Sequence, residues 1–480
     1  MKLKLKNLLV QILALPWLIC LAAFSVGCAT TSGLPVADVA NSDEIDDQPF
    51  QSTYTVPNAK PVLVRNVRIL TGTGEEFESA DILVQEGKIS LLGVGLGALE
   101  NAEVVDGSGK WLTPGIIDVH SHMGVYPSPS IESHSDGNEA IGPNTAEVWA
   151  EHSVWPQDPN FEKAIAGGIT TAQILPGSAN LFGGRGVVLK IVPSTTMLGM
   201  KFPDAPHALK MACGENPKRV YGEKGGPATR MGNMAGYRNA WIEAKRYLKT
   251  IEDYEKKLEG GDKSAEAPAR NLRMETLVGV LKGEIRIHNH CYRADEMANM
   301  IELSKEFGYK ISAFHHAVEA YKIAPLLAEN DICAAVWADW WGFKQEAFDM
   351  VRENAALIEN ANACAIIHSD DGTQTQRLSQ EVAKVMGASK QMGLDISRAK
   401  AIRWITLNPA KSLGLDDRIG SLEIGKNADM VLWSGDPFSV YSKAEKVWID
   451  GVLRFEKGNS QLPPTSDFNL GIIKPSEDRS

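Results

Sequence analysis

Eight short apolar runs punctuate the middle of the chain, at residues 115–119, 170–175, 187–192, 208–212, 285–288, 310–314, 332–337 and 364–368. Each ends in a turn. Helical patterns at residues 160–166, 295–307, 319–329 and 346–361 fall between some of them. Short continuous apolar runs fit strands buried on both faces, and their alternation with helices predicts a parallel sheet with crossover connections. Eight such strands predict a closed α/β barrel of the (β/α)8 TIM type. No internal sequence repeat accompanies them. The glycine-rich stretch 177–186 reads as a tight loop after the second strand; it lacks the lysine and serine pattern of a nucleotide-binding loop.

The flanks follow a different period. Val62, Val64, Val67 and Ile69 alternate, residues 81–85 and 88–92 read as a hairpin around Glu86-Gly87, and residues 103–106 form another short strand. Strands recur at 428–433 and 446–449, with a turn at Asp450-Gly451. Residues 61–113 and 413–460 are therefore expected to build one small β-sandwich domain from both chain ends, around a barrel at 114–412. A helical insertion occupies 225–270, either a long helix with a solvated face or a lid. Residues 461–480 read as a flexible tail.

Residues 1–28 carry Lys2, Lys4 and Lys6, then an apolar run, then Ser25-Val26-Gly27-Cys28. This is the layout of an export signal whose end resembles a bacterial lipobox, with Cys28 as the lipid-bearing residue. Residues 29–60 are polar, acidic and proline-punctuated, which predicts a disordered tether. The expected location is the periplasmic side of a bacterial membrane or the cell surface, on a lipid anchor; without the anchor, it is the soluble periplasm. Cys213, Cys291, Cys333 and Cys364 show no close spacing and are expected as buried thiols, with a Cys213–Cys291 bridge the one pairing considered. The formal net charge of −11 argues against a nucleic-acid partner. Homo-oligomerisation stays open.

All ten histidines lie between His120 and His368. His120 and His122, His288 and His290, His315 and His316, and His368 just before Asp370 each close a predicted strand. Strand residues two apart share a face, and barrel sites sit at the C-terminal strand ends. Imidazoles and a carboxylate converging there predict a site for Zn²⁺ or a related divalent metal. Arg185, Lys218, Arg219 and Arg293 stand near predicted strand ends, where one can pair with a substrate carboxylate. Tyr126, Tyr292 and Trp340 are candidates for an apolar subsite. Surface charge and packing remain the alternatives for these residues.

The stretch Trp111-Leu112-Thr113-Pro114-Gly115-Ile116-Ile117-Asp118-Val119-His120-Ser121-His122 resembles the first-strand motif of the amidohydrolase superfamily. Ile405-Thr406-Leu407-Asn408-Pro409-Ala410 and Gly420-Ser421-Leu422-Glu423-Ile424-Gly425-Lys426-Asn427-Ala428-Asp429-Met430-Val431 are similar to its helix and return into the small β-domain. Within the superfamily the similarity points to the imidazolonepropionase and Xaa-Pro dipeptidase-like branch. The resemblance implies a distorted (β/α)8 barrel and one or two divalent metals per chain, held by His120, His122, His288, His316 and Asp370. It puts Lys210 at the position of a carboxylated bridging lysine, with Glu215 as the rival bridge. It implies hydrolysis of a C–N bond in an amide, cyclic amide or dipeptide by a metal-activated water. Asp370 would shuttle the proton, with His290 and His316 as further catalytic candidates, and Arg185, Tyr292 and Arg293 would contact a small-molecule or dipeptide substrate. The different-class alternative is a non-catalytic metal- or ligand-binding lipoprotein on the same fold.

Overall fold

A computed structural model of the chain describes residues 50–462. The expected leader, most of the tether and the tail from residue 463 lie outside the described residues. Five strands come first: β1 (Val62–Leu70), β2 (Glu76–Gln85), β3 (Lys88–Gly93), β4 (Glu103–Asp106) and β5 (Trp111–Pro114). Eight follow in the middle: β6 (Ile116–Ser121), β7 (Ile169–Ile174), β8 (Phe182–Lys190), β9 (Ala208–Ala212), β10 (Arg286–Cys291), β11 (Ile311–His316), β12 (Cys333–Val336) and β13 (Cys364–Ile367). Three are the last among the described residues: β14 (Met430–Trp433), β15 (Ala444–Ile449) and β16 (Val452–Glu456).

Strands β6 to β13 form one sheet in chain order, buried along nearly their whole length. The sheet is nearly closed. At its seam the Asp370 N–H donates to the His120 carbonyl at 2.9 Å. The sheet departs from the expected all-parallel form at one strand, because β8 runs antiparallel to both β7 and β9. This also corrects the loop reading of 177–186, whose second half belongs to β8. Missing side chains make this possible. A Cβ on Gly184, at φ +110°, would lie 2.4 Å from the Val148 carbonyl oxygen, so only glycine lets the strand run against that segment.

Both chain ends contribute to a second sheet, ordered β16-β15-β14-β5-β1-β2-β3, with β4 beside β1. β5 joins the two halves by pairing with β1 and with β14. Val64, Ile82, Leu112, Leu432 and Trp448 share its apolar core. Lys190 of the barrel lies buried 2.9 Å from Asp450, tying the barrel to this sheet.

Two other expectations change. Cys213 is bonded to Cys291 and Cys333 to Cys364, so these four are disulfides rather than thiols. The pairings follow from strand register, which sets Cys333 opposite Cys364 although 31 residues separate them in sequence. The end of the expected tether is docked rather than loose. The Thr53 N–H donates to the Leu198 carbonyl at 3.0 Å, and the Tyr54 hydroxyl donates to Asp450 at 2.7 Å. Extended chain held by such bonds has no periodic signature in sequence. The insertion contains the helix Arg230–Glu259, capped by Thr229. Its first half is packed on the barrel, where Trp241 meets Phe182 and Tyr309. Past Ala244 the helix buries no residue. None of the described helices is long and apolar enough to cross a membrane.

Candidate active site

The strand ends bring the histidines together around Asp370. Its Oδ1 lies 3.3 Å from His120 Nε2 and 3.2 Å from His122 Nε2, and its Oδ2 lies 3.8 Å from His316 Nδ1. Both Asp370 (φ +59°) and His316 (φ +68°) adopt left-handed backbone, a conformation that costs free energy and clusters at functional sites. Lys210, rising from β9, sets its Nζ 3.0 Å from His120 Nε2. A row of imidazoles runs inward from there. His120 Nδ1 is 2.9 Å from His315 Nδ1, and His315 Nε2 is 2.8 Å from His288 Nδ1.

Burial dominates the electrostatics. Desolvation holds His120, His290, His315 and His316 well below the usual imidazole range, and takes His288 and His368 down to about 3. These rings are neutral. Burial also brings the Lys210 ammonium down to about 7. Neutral imidazole is the form that ligates a metal.

The donor set fits a divalent ion. His122 Nδ1 stands 2.7 Å from the Leu175 carbonyl oxygen, which can only accept, so Nδ1 carries a proton and Nε2 is the nitrogen left to ligate a metal. Nε2 lies 3.2 Å from an Asp370 carboxylate oxygen, and the two atoms together can hold a cation. Both nitrogens of buried His368, and Nδ1 of His316, find no hydrogen-bond partner among the described residues. Two groups, His120 with His122 and Asp370, and His120 with His316 and His368, hold their ligand atoms within 4.8 Å of one another. His288 stands apart from both groups, one step inward behind His315.

The site opens into a cavity of about 370 Å³. Of the sequence candidates, His120, His122, Glu215, Arg219, His290, Tyr292, His316 and Asp370 line it. Arg185 does not. It is buried against the Trp149 ring, 4.4 Å from its centroid, and donates to Thr276 at 2.8 Å. Arg293 also lies outside, beside Asp295 at 3.1 Å. These two corrections share a cause: a position near a strand end does not fix which way a long side chain turns. Tyr126 packs edge-on against His122 at the rim, and Trp340 lines an adjoining cavity. Sequence reasoning missed Asn216, Phe343 and Lys344. Lys344 and Phe343 sit in the irregular segment after β12, where no periodic signal marks an inward residue.

A model of an amidohydrolase family matches residues 317–455. An amidohydrolase from Thermotoga maritima MSB8 has a solved structure 37% identical to this chain, with a TM-score of 0.75, covering 82% of this chain and 100% of that one. The chain belongs to the amidohydrolase superfamily. Amidohydrolase tasK of Hapsidospora irregularis is 32% identical over 436 residues, 84% of this chain and 44% of that protein. Imidazolonepropionase of Shewanella oneidensis is 25% identical over 383 residues, 74% of this chain and 86% of that protein. The superfamily assignment thus extends to its imidazolonepropionase-like branch. The chain spans less than half of tasK and 63% of the adenine deaminase of Petrotoga mobilis, which it also resembles.

Proposed function

We propose that this amidohydrolase cleaves a C–N bond of an amide, cyclic amide or dipeptide, and that it depends on zinc or a related divalent metal. The observation that carries this reading is the convergence of His120 Nε2 and His122 Nε2 on Asp370 Oδ1, at 3.3 and 3.2 Å. The holders of the ion would be His120, His122, His316, His368 and Asp370, with Lys210, carboxylated, or Glu215 as the bridge if there are two. A bound divalent ion supplies Lewis acidity towards water and a carbonyl oxygen. Asp370, through its carboxylate oxygens, orients the attacking water, takes its proton and returns it to the departing nitrogen. His290 lines the cavity with its ring 4.5 Å from that of His316 and donates to substrate oxygen, while His316, as an ion holder, is the second catalytic candidate. Tyr292 walls the cavity and excludes water. One apolar core shared by the two halves of the end-built sheet supports the sandwich reading of the small domain.

Elemental analysis of the purified chain tests the reading. One or two equivalents of zinc or a similar ion, with amide hydrolysis lost on chelation and restored by metal, is the expected result. A metal-free protein that still hydrolyses amides, or a loaded protein that hydrolyses none, would overturn it. Export on a Cys28 lipid anchor is part of the same proposal, supported by two disulfides that suit an oxidising compartment. Cell fractionation with lipid labelling of the Cys28→Ser variant decides it; protein retained in the cytoplasm with Met1 in place sinks the export claim.

A further inference from the structure

Two cavities meet at Asp370. The first is the one already described, about 370 Å³. The second, about 410 Å³, is walled by Trp337, Trp340 and Trp341. Asp370, Tyr292 and Phe343 line both. Each has the size of an ordinary small-molecule pocket.

Their chemistries differ. In the second cavity Trp337 and Trp340 lie stacked, centroids 5.4 Å apart and planes 20° from parallel. Trp341 is 59% exposed there and Phe343 57%. Aromatic surface concentrated at the mouth of a site offers a ring both burial and stacking. The first cavity carries two cations. Lys344 is compensated, because its Nζ lies 3.3 Å from Glu215 and 3.8 Å from Glu346. Arg219 lines the same cavity and has no ion pair or hydrogen bond to any of the described residues. Exposed and without a protein partner among the described residues, this guanidinium can take a carboxylate in two-pronged geometry.

Resting on the C–N hydrolase reading above, we propose a substrate class: an amide that joins a ring-bearing half to a carboxylate-bearing half. Trp337 is itself held between the His316 and Trp340 rings, so the substrate ring packs on Trp340 and Trp341, the carboxylate pairs with Arg219, and the scissile bond lies across Asp370.

The test uses the full metal-loaded chain and three compounds: N-(phenylacetyl)glycine, its primary amide, and N-acetylglycine. Loss of a charge-assisted pair predicts a kcat/KM about 10- to 100-fold lower for the primary amide. Loss of the ring predicts a drop of about ten-fold or more for N-acetylglycine. Arg219→Ala should erase the acid-over-amide preference and keep the ring preference. Trp340→Ala should do the reverse, so the preference that each variant keeps reports that it is still folded. Quenching of tryptophan fluorescence by N-(phenylacetyl)glycine reads binding separately. Hydrolysis of all three compounds at similar kcat/KM overturns the substrate class and leaves the hydrolase reading standing. Binding with both preferences but no hydrolysis overturns the hydrolase reading and supports the recognition scheme. Neither binding nor hydrolysis overturns both.

Discussion

Asp118 should act as the latch of the barrel seam. No ladder pairs β13 with β6, and the side chain of Asp118, fully buried on β6, bridges the gap. Its Oδ1 accepts the backbone N–H of His120 at 3.2 Å and of Ser369 at 3.3 Å. Its Oδ2 accepts the hydroxyls of Ser369 and, at 3.0 Å, of Thr375. In Asp118→Ala the two hydroxyls can turn elsewhere, but the two amide N–H groups stay buried without a partner. At about 1–3 kcal/mol each, the loss comes to roughly 2–6 kcal/mol. Asp118→Asn keeps Oδ1 and turns an amide NH₂ towards two hydroxyl oxygens that can accept, so its cost should stay within about 1.5 kcal/mol. Asp370 lies one residue beyond Ser369, so loosening the latch also misplaces the carboxylate; a shift of about 1 Å can cost about 100-fold in rate. Denaturant unfolding, together with hydrogen exchange across residues 118–122 and 368–371, reads both effects. If Asp118→Ala unfolds at the parent's midpoint with unchanged exchange at these amides, the latch argument is wrong.

Asp370→Asn, assayed at verified metal content on a good substrate, should keep the fold and lose about 10²–10⁴-fold in turnover, the range for a positioned proton-transfer group; activity within a few-fold of the parent would hand that role to His290 or His368. Lys210→Ala should lower a two-metal stoichiometry to one by elemental analysis, and if Glu215→Ala does so instead, the bridge is Glu215. His207, just before β9 and 3.2 Å from the Gly186 carbonyl oxygen, is taken down to about 3 from 6.5 by burial. The unfolded chain therefore binds a proton below pH 6.5 that the folded chain refuses until about pH 3, so stability should fall as pH drops through this window. A His207→Gln variant should show a shallower fall of the thermal midpoint over the same range, and an unchanged slope would refute the assignment.

Much of this was legible from the chain alone. The eight apolar runs correspond to strands, because burial on both faces leaves a continuous apolar signature. The pairing of His120 with His122 was legible too, since alternate strand residues must share a face. Other features had no local signal. Whether His288 or His290 meets the cavity depends on the height of β10 in the sheet, and the structure puts His290 at the opening and His288 behind His315. Arg185 and Arg219 are both arginines near strand ends, yet one is clamped under Trp149 and the other lines the site.

Local pattern determined the elements, the β segments at both chain ends and the residue types available for chemistry, because periodicity and side-chain chemistry are properties of neighbours in sequence. Closure of the sheet decided the rest. It reversed β8 between two parallel neighbours. It set Cys213 beside Cys291 across 78 residues. It also brought Asp370 within 3.3 Å of His120, 250 positions earlier in the sequence. Contacts of that kind depend on register and strand direction, which are fixed only when distant segments compete to bury the same surface.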